Sequence, residues 1–102
     1  MNTDAAVELD AYQPVCGLFS ALSSPARAAT IHLLSEGEKT VGELVDLLDI
    51  SQPLMSQHLR SLREAHLVTG RRSGRSIYYS LADEHVAHVF LDALNHSRHV
   101  ED

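Results

Sequence analysis

Tryptophan is absent, aromatic side chains are limited to three Tyr and two Phe, and a single cysteine, Cys16, stands alone among 102 residues. One thiol cannot close an intrachain disulfide, which excludes a cross-linked secretory framework. Lying among Val15, Leu18 and Phe19, Cys16 reads as a small buried apolar residue. With so few rings and 44% apolar residues, mostly aliphatic, the composition suits packed helices better than a large sheet. No apolar run approaches the ~20 residues that span a bilayer, and no signal peptide precedes the first charges. A cytoplasmic setting with no membrane partner is therefore expected. Basic residues are also scarce: eight Lys and Arg face fourteen Asp and Glu, a formal charge of −6. Taken as a whole, that balance argues against a nucleic-acid partner.

The distribution of charge reverses that argument. Residues 51–81 hold Arg60, Arg63, Arg71, Arg72 and Arg75 against Glu64 alone, a local balance of +4 that leaves −10 for the rest of the chain. A basic block in an acidic chain is the footprint of one face meeting phosphate while the others repel it. A chain of this length forms one domain and buries about 60–70% of its unfolded surface. That modest core favours a dimer.

The spacing of apolar residues and breakers predicts the elements. Residues 1–22 form an N-terminal arm followed by a helix, with Pro14 in the first turn and Val15, Leu18, Phe19 and Leu22 at helical spacing. Ser24 caps a second helix, with Pro25 at its start and an end near Gly37. Residues 40–65 read as a helix-turn-helix. Thr40 and Glu43 make a capping box, and Ser51 caps a second helix that buries Met55, Leu59 and Leu62. Asp49 occupies the turn where glycine is common. The outward face of that second helix carries Gln52, Ser56, Gln57, Arg60 and Arg63, with His58 near its edge, all able to bond base edges or phosphates. Residues 67–81 read as a two-stranded hairpin tipped by Arg71, Arg72, Ser73, Gly74 and Arg75. A hairpin placed there is a wing. Arg71, Arg72 and Arg75 would reach the backbone or minor groove while the helix enters the major groove.

The C-terminal stretch, residues 83–99, is an apolar helix bearing four usable metal ligands, Asp83, His85, His96 and His99. His85 and His96 are eleven residues apart, so they share a face but stand roughly 16 Å from each other. One ion needs ligands at about 2 Å, so two helices are required. An antiparallel pair across a twofold axis sets Asp83 and His85 of one protomer against His96 and His99 of the other, giving two sites per dimer. Asp83 reaches such a site only as an N-cap outside the regular helix.

In this order of parts the chain resembles the ArsR/SmtB family of winged-helix metal-sensing repressors. The resemblance is carried by residues 22–27 (LSSPAR), residues 51–63 (SQPLMSQHLRSLR), Gly74 and Arg75 with Tyr78 and Tyr79, and the C-terminal ligand set. The Cys-x-Cys of members that sense arsenic, cadmium or lead would fall near Thr40, Val41 and Gly42, which have no thiol. Asp83, His85, His96 and His99 match the pattern that zinc sensors of the family place on the C-terminal dimer helix. The resemblance implies a mainly α winged helix-turn-helix with a small β-hairpin, dimerised through its N- and C-terminal helices. It also implies a repressor that binds an imperfect inverted repeat of double-stranded DNA without metal and releases it on binding Zn²⁺. Co²⁺ is a close mimic, and a Ni²⁺ or Co²⁺ sensor would recruit further ligands such as His88. A regulator answering to a thiol change or a small molecule is the other reading. Four protein ligands leave no open position for a catalytic water, and no nucleophile and base are paired beside them, so an enzyme is not expected.

Overall fold

The computed structural model describes residues 6–100. Residues 1–5 of the expected arm, together with Glu101 and Asp102, lie outside the described residues. A short 3-10 turn, Leu9–Tyr12, leads into α1 (Gln13–Ala21), with Pro14 in the first turn. In α2 (Pro25–Leu34), the Ser24 hydroxyl accepts from the Arg27 N–H at 3.4 Å. The helix stops at Leu34 rather than nearer Gly37. There the bonds tighten to three-residue turns, from Glu36 N–H to the Leu33 carbonyl and from Gly37 N–H to the Leu34 carbonyl.

The helix-turn-helix forms as its caps dictate. α3 spans Val41–Leu48 and α4 spans Gln52–Glu64. Thr40 Oγ1 accepts from the Glu43 N–H at 3.2 Å, and Glu43 Oε1 accepts from the Thr40 N–H at 2.9 Å. Asp49 ends α3 in the left-handed region, φ 53° and ψ 49°, so a short polar carboxylate side chain takes the place glycine would hold. Ser51 then caps α4, its hydroxyl accepting from the Leu54 N–H at 3.3 Å. At the far end His66 is also left-handed, φ 62°. Its N–H reaches the Arg63 carbonyl and the Leu67 N–H reaches the Leu62 carbonyl, both at 2.9 Å, a Schellman closure that drops Leu67 into the core.

The capping box also sets an acid sensitivity. The Thr40 N–H, followed by the Thr40 side chain, holds the Glu43 carboxyl below its ordinary value of 4.5. A depressed folded pKa gives stability that is present above the unfolded value and is lost as pH falls through the folded one. Thr40→Ala should cost about 1 kcal/mol in urea denaturation at neutral pH. Glu43→Gln should flatten the acid limb of stability below about pH 4.5, where wild type declines.

Three strands, not two, make the wing. β2 (Val68–Ser73) and β3 (Ser76–Leu81) form the expected hairpin, and β1 (Lys39–Thr40) adds to the other edge of β3 in the order β1-β3-β2. Lys39 pairs with Tyr79 and Thr40 with Tyr78. A two-residue strand has no periodicity to read. The hairpin loop is only Gly74 and Arg75, with Gly74 at φ 62°. Arg71 and Arg72 therefore lie within β2 and not at the tip.

The core joins Ile31 and Leu34 of α2, Leu44 of α3, Met55, Leu59 and Leu62 of α4, and Leu67, Val68 and Tyr79. α5 (Glu84–Val100) packs on α2, with Phe90 against His32 at a ring separation of 5.9 Å. α1 rests on this body through Leu18, Ala21 and Leu22, yet buries no residue fully. Cys16 is exposed, contrary to the expectation from its apolar neighbours. It lies on the side of α1 turned away from Leu18 and Ala21. Phe19 is 54% exposed and Val15 43%, so the apolar stripe of α1 lacks a cover. The radius of gyration, 16.2 Å, exceeds the ~13 Å of a compact chain of this length. The terminal helices account for the excess as extended, half-covered elements.

Candidate DNA interface and candidate metal ligands

α4 presents its polar side chains in three directions. Met55, Leu59 and Leu62 fill the inner face, and at about 100° per residue Gln57 stands opposite them. Ser56, Arg60 and Arg63 turn toward the sheet, where with Glu64 and Tyr79 they line an open groove. A second groove, between α4 and the wing, joins Gln52 and Ser56 to Arg75, Ser76 and the Thr40–Gly42 end of α3. Gln52, Ser56, Gln57, Arg60 and Arg63 are all exposed. His58 departs from that surface. It is half-buried on the other flank, where burial, and then the Arg27 guanidinium, push its imidazole below the ordinary value. Folding thus favours the neutral imidazole of His58, and its protonation opposes folding as pH falls.

The wing arginines are not equivalent. Gly70 lies so close to Ile77 and Tyr79 that a Cβ there would stand 3.1 Å from Ile77 Cγ2 and 3.2 Å from Tyr79 Cε1. That contact marks the face shared by Gly70, Arg72, Ile77 and the buried Tyr79. Strand alternation puts Arg71 on the opposite face. There its guanidinium lies 5.2 Å from the Tyr78 ring centre and pairs with Glu38 at 2.8 Å. Among the described residues this is the one ion pair, so Arg60, Arg63, Arg72 and Arg75 carry no such carboxylate partner. Four unpaired arginines flanking a helix that offers amide and hydroxyl groups form a surface suited to a phosphate-lined groove. The Glu38 tie and the contributions of Thr40 and Ser76 escape sequence reading. Strand parity, applied through Gly70, would have separated Arg71 from Arg72.

The four candidate metal ligands are all exposed. Asp83 does sit at the N-terminus of α5, where Oδ1 accepts from the Val86 N–H at 3.2 Å. It therefore stands outside the regular helix, with its second oxygen available. His85, His96 and His99 project from a helix of 17 residues, about 25 Å long. Among the described residues, no three His, Cys, Asp or Glu side chains come together to hold an ion. The oxygen and nitrogen donors fit Zn²⁺ in kind, but within one chain they do not converge. His85 also borders an apolar groove between α1 and α5, with Val15, Phe19, Leu22, Val86 and Val89. A second copy seated against that groove would both cover the stripe and bring new donors.

No helix among the described residues is long and apolar enough to cross a membrane. Residues 24–69 match the bacterial regulatory proteins of the arsR family. The chain is 51% identical over 80 residues to the HTH-type transcriptional repressor SmtB of Mycobacterium tuberculosis, covering 78% of this chain and 59% of that repressor. It thus spans less than two thirds of that relative's length. It is 38% identical over 96 residues to the HTH-type transcriptional regulator NmtR of the same organism, covering 94% of this chain and 80% of NmtR. The fold superposes with a TM-score of 0.84, at 26% identity, on the homodimeric winged helix-turn-helix DNA-binding domain of Mb0332 from Mycobacterium bovis, covering 96% of this chain and 91% of that one. By its sequence, from the helix-turn-helix outward, and by its winged-helix architecture, the chain belongs to the arsR family of bacterial regulatory proteins.

Proposed function

We propose that the chain is a homodimeric transcriptional repressor that binds an inverted-repeat operator without metal and releases it when Zn²⁺ is bound between the α5 helices. The observation that carries this reading is the pairing of two surfaces. One is basic and amide-rich on α4 and the wing, and the other is an uncovered apolar stripe on α1 and α5 edged by histidine. Family membership supports a DNA-binding role, the homodimeric M. bovis domain supports a dimer, and the uncovered apolar stripe of α1 and α5 is the face it would use. In this assembly Gln57, with Gln52 and Ser56, faces base edges. Arg60, Arg63, Arg72 and Arg75 bind phosphates. Arg71, already held by Glu38, contributes least, and His58 none directly.

Asp83 and His85 of one protomer with His96 and His99 of its partner would hold the ion, which would supply a fixed positive charge tying the two helices together and no catalysis. Release requires that the ion favour a dimer whose two α4 helices no longer match major grooves about 34 Å apart. A second ring bond from His96 to a backbone carbonyl near His66, at the end of α4, would couple the two surfaces. Six-coordinate donors drawn from His88 would favour Ni²⁺ or Co²⁺ instead. The test is fluorescence anisotropy on DNA from upstream of the gene. Binding with chelator present and loss by about 5- to 150-fold on adding Zn²⁺ is the expected result. Equal binding in both states would sink the metal reading, and no binding in either would sink the operator.

A further inference from the structure

Glu38 stands one residue ahead of β1, and the sheet explains its place. β1 lies beside β3, and β3 beside β2, so Arg71, Tyr78 and Thr40 form one cross-strand row. Side chains alternate along a strand, so Glu38 shares the face of Thr40 while Lys39 takes the other. The capping box at Thr40 fixes the end of β1, and Glu38 with it. Two strand spacings of about 4.8 Å separate β2 from β1, a gap that an extended arginine spans. The Arg71 guanidinium accordingly crosses the Tyr78 ring, 5.2 Å from its centre, and donates to Glu38 Oε1 at 2.8 Å. Arg71 stays 59% exposed and Glu38 45%, so the pair is open to a phosphate of bound DNA. A carboxylate and a phosphate offer a guanidinium the same kind of charged oxygen acceptor. Arg71 thus differs from Arg72 and Arg75 on the same hairpin in having its acceptor within the chain.

We propose that Glu38 is a resident surrogate for a DNA phosphate, holding Arg71 so that this cation adds nothing to the grip on duplex DNA. The inference rests on the DNA-binding reading of α4 and the wing. A carboxylate 2.8 Å from the guanidinium cancels its charge for any phosphate lying within the Debye length, about 10 Å at 0.1 M salt. A phosphate that displaced Glu38 would leave the freed carboxylate facing an anionic duplex, so the exchange gains little. Phosphate contacts carry no sequence information, so Glu38 lowers affinity for all duplexes alike. It also lowers the salt sensitivity of binding by one counterion.

The test is fluorescence anisotropy of the full chain with chelator present, on DNA from upstream of the gene and on an unrelated duplex of equal length, across about 50 to 200 mM salt. Glu38→Gln keeps the side-chain shape and removes the charge from an exposed site, so the fold should persist, as circular dichroism checks. This variant should bind both duplexes about tenfold more tightly at the low-salt end and steepen the slope of log affinity against log salt by about 0.9. In the Arg71→Ala background the same replacement should do neither. Glu36→Gln, which removes an exposed charge that makes no ion pair, should leave the slope at the wild-type value. An unchanged or shallower slope in Glu38→Gln, an equal gain in the Arg71→Ala background, or a gain confined to one duplex would each overturn the proposal. If neither wild type nor Glu38→Gln binds either duplex, the DNA-binding reading falls with it. Binding by wild type with no effect of Glu38→Gln removes this inference alone.

Discussion

Replacing His96 by alanine should abolish the response to zinc while leaving the metal-free protein's hold on its operator intact. His96 is exposed on α5 and touches neither the core nor the α4 surface, so its removal should spare both folding and DNA contact. What it would remove is one of the four proposed donors, and a tetrahedral zinc site reduced to three ligands loses most of its grip on the ion. The coupling between metal and operator, about 1–3 kcal/mol in such systems, appears as a 5- to 150-fold fall in DNA affinity. In His96→Ala that factor should drop to near one at zinc concentrations that saturate wild type. Reciprocity gives a second reading of the same quantity, since operator DNA must weaken zinc binding by the same factor. Cys16→Ser is the matched control. An unchanged zinc response in that variant, with the response lost in His96→Ala, separates a metal regulator from a thiol-responsive one. Loss of regulation in Cys16→Ser alone would favour the thiol.

The second large effect concerns the arginines. Arg60, Arg72 and Arg75 have no carboxylate partner among the described residues, whereas Arg71 is bound to Glu38 and lies over Tyr78. Changing Arg60, Arg72 or Arg75 to alanine should each weaken operator binding roughly ten- to a hundredfold at low salt. Each should also lower the slope of log affinity against log salt by nearly one, because one fewer counterion is released. Arg71→Ala should leave that slope close to the wild-type value. Gln57→Ala belongs to a different class. It should keep the salt slope and reduce the preference for the operator over unrelated DNA, as loss of a base-edge contact does. A uniform loss of slope across all four arginine variants would contradict the two-faced wing.

Much of the helix-turn-helix was legible because its signals are local. Thr40 with Glu43, Ser51 with Leu54, and the Met55, Leu59 and Leu62 spacing each involve residues within one or two turns of one another. The same locality explains the departures. Cys16 has apolar neighbours in sequence, but which side of α1 is covered depends on elements far along the chain, and Leu18 and Ala21 rather than Cys16 meet the core. His58 lies near the edge of the outward surface by helical position, but its partial burial and the neighbouring charge of Arg27, thirty-one residues earlier, depend on packing far along the chain. β1 exists only because Lys39 and Thr40 find Tyr79 and Tyr78. The N-cap role of Asp83 was readable, since the strand before it and the helix after it were both marked in the sequence.

The central claim, that the metal site is shared between protomers, has a direct test by complementation. Asp83→Ala and His96→Ala homodimers each lose a ligand from both sites. In a mixed dimer one site loses both ligands and the other keeps all four, because the intact Asp83 and His85 end of one chain faces the intact His96 and His99 end of the other. Titration with Co²⁺ should give intense tetrahedral absorption for wild type and neither single variant. After exchange of equal amounts of the two variants, half the dimers are mixed, and about a quarter of the wild-type intensity should return. A mixture that stays as colourless as its parents, or single variants that bind Co²⁺ as wild type does, would contradict a site built across the dimer.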